Sequence, residues 1–168
     1  SAELVRSTDG GRTWRAVTAP PAVVGARALA MASDGTLYAG TQSGSVLRST
    51  DGGLTWTLRG SLPLAILGMA VDDRGRLFLA GMGLLKWGDP TTIRSDDGGA
   101  TFQVVPIVGN DKHVDLSLAY AFLEASDGSM YASVWVHGEF EKTDFFRSTD
   151  GATLRWTSKI PGEWWDDR

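Results

Sequence analysis

The chain is 168 residues long, 42% hydrophobic and 21% charged, with 21 glycines, six prolines and a net charge of −4. That suffices for one turn-rich globular domain with a substantial core, and the acidic balance lacks the basic stripe of a nucleic-acid binder. With no cysteine there is no disulfide framework, no thiolate metal site and no cysteine nucleophile, and no apolar run is long enough to span a membrane.

In chain order, Leu4-Val5-Arg6 reads as a strand end that runs into Ser7-Thr-Asp9-Gly-Gly11-Arg-Thr13-Trp14. After it, Ser33-Asp34-Gly35 is a tight turn between two apolar runs, a hairpin signature. Val46-Leu47-Arg48 then leads into a second copy of the first phrase, Ser49-Thr-Asp51-Gly-Gly53-Leu-Thr55-Trp56. The pattern repeats with Asp73-Arg74-Gly75, Thr92-Ile93-Arg94 and Ser95-Asp-Asp97-Gly-Gly99-Ala-Thr101-Phe102. It repeats again with Ser126-Asp127-Gly128, Phe145-Phe146-Arg147 and a worn copy, Ser148-Thr-Asp150-Gly-Ala152-Thr-Leu-Arg-Trp156. Successive phrases start 42, 46 and 53 residues apart, a spacing of solenoids and propellers. Each phrase has a mechanical reading: the carboxylate accepts backbone N–H groups while glycine takes positive φ. Thr and Trp or Phe then open a strand, where they suit a half-buried pleated surface. No helix is predicted.

These four phrases resemble the Asp box, or BNR repeat, of the sialidase-like β-propellers. The resemblance implies an all-β propeller of four-stranded antiparallel blades, with the strands of each blade joined as A, Asp-Gly turn, B, loop, C, Asp box, D. Residues 1–168 then form a single segment of about three and a half blades: a half-blade at 2–19 and blades at 28–59, 66–107 and 118–160. Closed propellers typically have four to eight blades, and an open arc exposes apolar blade faces. The chain is therefore expected either to assemble with copies of itself or to be part of a longer propeller. It begins with Ser1 rather than Met, as a processed or partial chain does. It shows no signal-peptide pattern, although the resemblance favours a secreted or periplasmic location.

A carboxylate repeated in every blade reads as a turn lock, whereas catalytic groups occur once per site. Ser7, Asp9, Gly11, Trp14, Ser49, Asp51, Gly53, Trp56, Ser95, Asp97, Gly99, Phe102, Ser148, Asp150 and Trp156 are accordingly assigned to structure, and so are Arg6, Arg48, Arg94 and Arg147, which recur beside them. Strand alternation puts the A–B turns and Asp boxes on one face of the disc, and the B–C loops and D–A connections on the other. In the family that the chain resembles, ligands bind on that other face. Length varies there: the Asp-Gly turn to the next box is 14 residues in the first blade and 20 in the second and third. Variable loops are where function concentrates.

The candidate ligand-binding residues are therefore Lys86, Trp87 and Asp89 in one long loop, Asp111 and His113 in a D–A connection, and His137 and Glu139 in the other long loop. Trp87 offers an aromatic platform, and the imidazoles and carboxylates offer directional hydrogen bonds. A sialidase would need three inward arginines and a Tyr–Glu pair, but no Phe/Tyr-Arg-Ile-Pro phrase is present and Arg27 alone suits a ligand arginine. A xyloglucanase would need two facing carboxylates, which Asp89, Asp111, Asp115, Glu139 and Glu141 could supply. Catalytic residues are thus unassigned, and neither metal nor cofactor is expected. The reading is a non-enzymatic propeller module that binds a glycan or a protein. The alternatives are a fragment of a glycoside hydrolase, of sialidase or xyloglucanase type, and an assembly or scaffolding factor.

Overall fold

A computed structural model describes residues 4–17, 23, 25–83, 90–108, 117–136 and 142–158. Strands β1 (Leu4–Arg6) and β2 (Arg15–Val17) form a two-stranded antiparallel sheet. The first four-stranded sheet runs in chain order through β3 (Ala26–Met31), β4 (Leu37–Thr41), β5 (Ser45–Ser49) and β6 (Thr57–Ser61). The second is built in the same order from β7 (Leu64–Val71), β8 (Leu77–Gly83), β9 (Pro90–Ser95) and β10 (Gln103–Val104). The two-residue β11 (Ile107–Val108) leads to the third, formed by β12 (Ser117–Glu124), β13 (Met130–Val136), β14 (Lys142–Ser148) and β15 (Leu154–Ser158). The chain is thus an all-β propeller arc of four-stranded antiparallel blades, about three and a half of them, with no helix among the described residues.

The repeats agree in detail. Each first strand carries a register shift at the same distance before its Asp-Gly turn, between Ala26 and Ala28, Ile66 and Gly68, and Ala119 and Ala121. Such a bulge bends a strand and increases its twist.

The core lies between the sheets. Ala28, Tyr38 and Val46 of the first sheet pack with Leu64, Ile66, Met69, Leu77, Leu79 and Ile93 of the second. Ala80 and Val105 pack with Ala132, Val134, Phe146 and Leu154 of the third. Leu29, Met69 and Phe122 hold equivalent places, six residues before the turn glycine. Met69 is buried close to Gly40 of the preceding sheet, and Phe122 meets Phe78 of its preceding sheet at 6.1 Å between ring centroids. Leu29 is exposed, because in front of it stand only the two strands β1 and β2.

One boundary differs from the expected one. The second blade was placed through Ile107, but Ile107 and Val108 pair in parallel with Leu154 and Arg155 of the third sheet. Val105 still donates its N–H to Thr92 of β9 at 2.7 Å, whereas the Pro106 carbonyl accepts from Leu154 at 2.9 Å. Proline has no N–H to continue the β9 ladder, so the chain changes sheets there and clips the two blades together.

Candidate functional site

Each Asp box is a closed hydrogen-bond unit. In the third, the Ser95 hydroxyl donates to Asp97 at 2.8 Å and accepts the Gly99 N–H at 2.8 Å. Asp97 also accepts the Ala100 N–H at 3.0 Å, the Thr101 N–H at 2.8 Å and the Thr101 hydroxyl at 2.6 Å. The first and second boxes repeat this with Ser7, Asp9 and Thr13 and with Ser49, Asp51 and Thr55. Trp14 and Trp56 close their own turns by donating Nε1–H to the carbonyls of Gly11 and Gly53. The worn fourth box keeps the Ser148–Asp150 and Gly151–Ser148 bonds, with Asp150 accepting from the Ala152 and Thr153 amides.

These donors stabilise the charged carboxylate. The Thr13 hydroxyl and amide, with the Ser7 hydroxyl, lower the Asp9 pKa to about 2. The Thr55 and Thr101 groups hold Asp51 and Asp97 still lower. A carboxylate so occupied is a poor proton donor or acceptor near neutrality.

The boxes also join blades through arginines, of which Arg94 recurs in the repeat pattern and Arg59 and Arg76 do not. Arg59 donates to the carbonyls of Gly98 and Asp97 at 3.2 and 3.3 Å. Arg76 donates to the Asp150 carbonyl at 2.6 Å, and Arg94 to the Gly151 carbonyl at 2.8 Å. These contacts span 38 to 74 residues of sequence, so no local motif could have announced them.

Asp72, Asp73 and Glu124 bring three carboxylates together on this side, with ligand atoms within 4.8 Å of one another. Protein donors already engage two of them. Buried Asp72 accepts from Arg76 Nε at 2.6 Å and from the Arg76 amide at 2.7 Å, and Glu124 accepts the Asp73 N–H at 2.9 and 3.1 Å. Burial, with the neighbouring Asp73 and Asp72 charges, pushes the Glu124 carboxyl up.

At the opposite strand ends, register fixes where the variable segments leave the sheets. Met82 faces Pro90 and Leu64 faces Gly83, so β8 ends and β9 begins beside the start of β7. Val136 faces both Lys142 and Ser117, so β13 ends where β12 and β14 begin. The corresponding turn of the first sheet is short and pinned: the Gly44 carbonyl accepts the Leu62 N–H at 2.9 Å. Arg27 beside it donates Nε–H and Nη2–H to the Gln42 side-chain oxygen at 3.1 and 2.7 Å. Lys86, Trp87, Asp89, Asp111, His113, His137 and Glu139 themselves lie outside the described residues.

An apolar groove of about 250 Å³ runs between the two-stranded sheet and the first four-stranded one, lined by Val5, Val17, Leu29, Met31, Leu37 and Trp56 among others. The sequence reading did not find it, since its walls come from two repeats.

Four-stranded antiparallel sheets stacked through their faces, each with a box at one end, define a β-propeller segment. Its repeats are BNR/Asp-box repeats: the profile of that description matches residues 5–16 and 47–58. A second profile, strictosidine synthase-like, N-terminal, matches residues 28–49. No curated protein matches the sequence. Among solved structures, the GH74 xyloglucanase from Xanthomonas campestris aligns with a TM-score of 0.63 at 18% identity, over 96% of this chain and 27% of that one. YCF48 bound to D1 peptide aligns at 0.59 and 16%, over 93% and 48%. A Dyadobacter fermentans protein of unknown function aligns at 0.58 and 21%, over 92% and 57%. At these identities the likeness is one of fold, and the chain spans between about a quarter and three-fifths of those proteins.

Proposed function

We propose that this segment is a non-enzymatic binding module that takes a glycan or a protein on the face opposite the Asp boxes, through Lys86, Trp87, Asp89, Asp111, His113, His137 and Glu139. The observation that carries the reading is the division of labour between the two faces. The box carboxylates are occupied by donors of their own turns, while the segments of variable length leave the sheets at the opposite strand ends. The boxes are turn locks in this account and do no chemistry. Two structural neighbours supply ligand classes to try: one is a xyloglucanase and another is bound to a peptide.

The test is an array of xyloglucan oligosaccharides, other glycans and extended peptides, followed by titration of any ligand found. Trp87→Ala is expected to weaken binding by about 1 kcal/mol, roughly five-fold, the scale of one lost aromatic contact, with an unchanged melting temperature. An affinity indifferent to Trp87→Ala, His113→Ala and Glu139→Ala but lost on changing Arg76 would put the site on the wrong face. Cleavage of the oligosaccharide by the unmodified protein, abolished by Asp89→Asn or Glu139→Gln, would replace the binding reading with a hydrolase.

A further inference from the structure

The strands that open the sheets pack against one another, β3 on β7 and β7 on β12, and so form the inner wall of the arc. Each carries one residue that its ladder skips: Arg27 between Ala26 and Ala28, Leu67 between Ile66 and Gly68, and Tyr120 between Ala119 and Ala121. All three stand eight residues before the turn glycine, at one level of the wall. The residues around the skipped ones already supply both sheet faces. Ile66 and Met69 lie against Gly40 of the first sheet, and Ala28 packs with the second. A skipped residue such as Arg27 or Leu67 belongs to neither face, and a bulge re-aims just such a side chain. Leu67 shows the result. Its sheet packs on the first through one apolar cluster and on the third through another, yet Leu67 is only half-buried and joins none of the clusters.

Arg27, at the same level on β3, is held in place. Its Nε–H and Nη2–H both go to the Gln42 side-chain oxygen at 3.1 and 2.7 Å. The Gln42 backbone N–H is itself fixed on the Gly25 carbonyl at 3.1 Å. One oxygen takes both bonds, so the Nη1 end of the guanidinium meets no acceptor among the described residues. A guanidinium edge grips a carboxylate by two parallel N–H···O bonds, and Gln42 keeps this one oriented at the strand ends opposite the boxes.

We infer that the ligand of this face is an acidic peptide, whose carboxylate seats on Arg27 while its aliphatic stem lies against Leu67. The inference rests on the reading of this face as the binding face and names the chemistry it takes. A pyranose ring suits the pair less well, because hydroxyls set against Leu67 would be desolvated without a partner.

The test is fluorescence polarisation with the full chain and a library of labelled, extended peptides. Each is made with Glu and with Gln at one position, and with a free and an amidated C-terminus. Peptides that carry the carboxylate are expected to bind at least tenfold more tightly than their neutral counterparts, and the two pairings tell a side-chain carboxylate from a terminal one. Arg27→Ala should abolish that preference with an unchanged melting temperature. Arg27→Lys should restore only part of it, since an ammonium has no planar fork. Peptides that bind through Trp87 equally well with and without the carboxylate, or whose preference survives Arg27→Ala, overturn the inference and leave the binding-face reading standing. A preference that needs Arg27 but ignores Trp87→Ala supports the inference and counts against the loop residues. Absence of any peptide binding, with or without a bound glycan, overturns it.

Discussion

At the scale of single residues, the box aspartates and Glu124 respond to pH with opposite signs. Asp9, Asp51, Asp97 and Asp150 have folded pKa values below the ordinary value of about 3.9. Their stabilisation is therefore fully present above that value and is lost as pH falls through the folded ones, toward pH 2 and below. Glu124 is raised, so its contribution is present below the ordinary glutamate value of about 4.3 and fades as pH rises through the raised one. Asp51→Ala is expected to lower the melting temperature by a few degrees near neutrality, and the gap to the unmodified protein should narrow as the pH drops toward 2. Melting curves at a series of pH values check this, and a gap independent of pH would deny the carboxylate its role. Glu124→Gln keeps an acceptor for the Asp73 amide and removes the charge. It should hold or raise the melting temperature at pH 8, and a marked fall there would contradict the assigned sign.

At the scale of strands and sheets, the hairpins were legible because their causes are local. An Asp that accepts amides two to four residues ahead, with glycines at positive φ (Gly52 at 72°, Gly53 at 90°), needs no distant partner. The switch of Ile107 and Val108 into the third sheet was not legible. Two apolar residues after a proline carry no local signal of which sheet will take them, and the choice is made by the carbonyl of Pro106 and the edge of β15. Packing between sheets is likewise tertiary. Phe78 is 1% exposed and faces the Phe122 ring of the next blade, so Phe78→Ala should cost about 3–5 kcal/mol by denaturant titration. Leu58→Ala on the exposed outer strand should cost less than about 0.5 kcal/mol. Equal costs would mean that the blades do not share a core. Gly44 marks a close approach: with φ at 86° and the Leu62 carbonyl against its Cβ position, Gly44→Ala must push apart the turn and the connection that it pins.

At the scale of the whole molecule, the arc has a face of fixed turns bound across blades and a face from which the long segments emerge. The repeat phrase located the first face, because identical chemistry in each blade implies an identical job. It hid two of the arginines that knit the blades, since Arg59 and Arg76 reach partners 38 and 74 residues away. The candidate site was read from surplus length, six extra residues in each of two loops, and surplus length names a place without naming its chemistry. What the chain recognises depends on side chains in those loops, which no repeat constrains. The most direct measurement is a paired comparison on one bound ligand, with melting temperature and Kd recorded for Asp51→Ala and Trp87→Ala. The account predicts that Asp51→Ala lowers the melting temperature and leaves Kd unchanged, while Trp87→Ala leaves the melting temperature unchanged and raises Kd about five-fold. An Asp51→Ala protein of unaltered stability that no longer binds, beside a Trp87→Ala protein that binds normally, would contradict it.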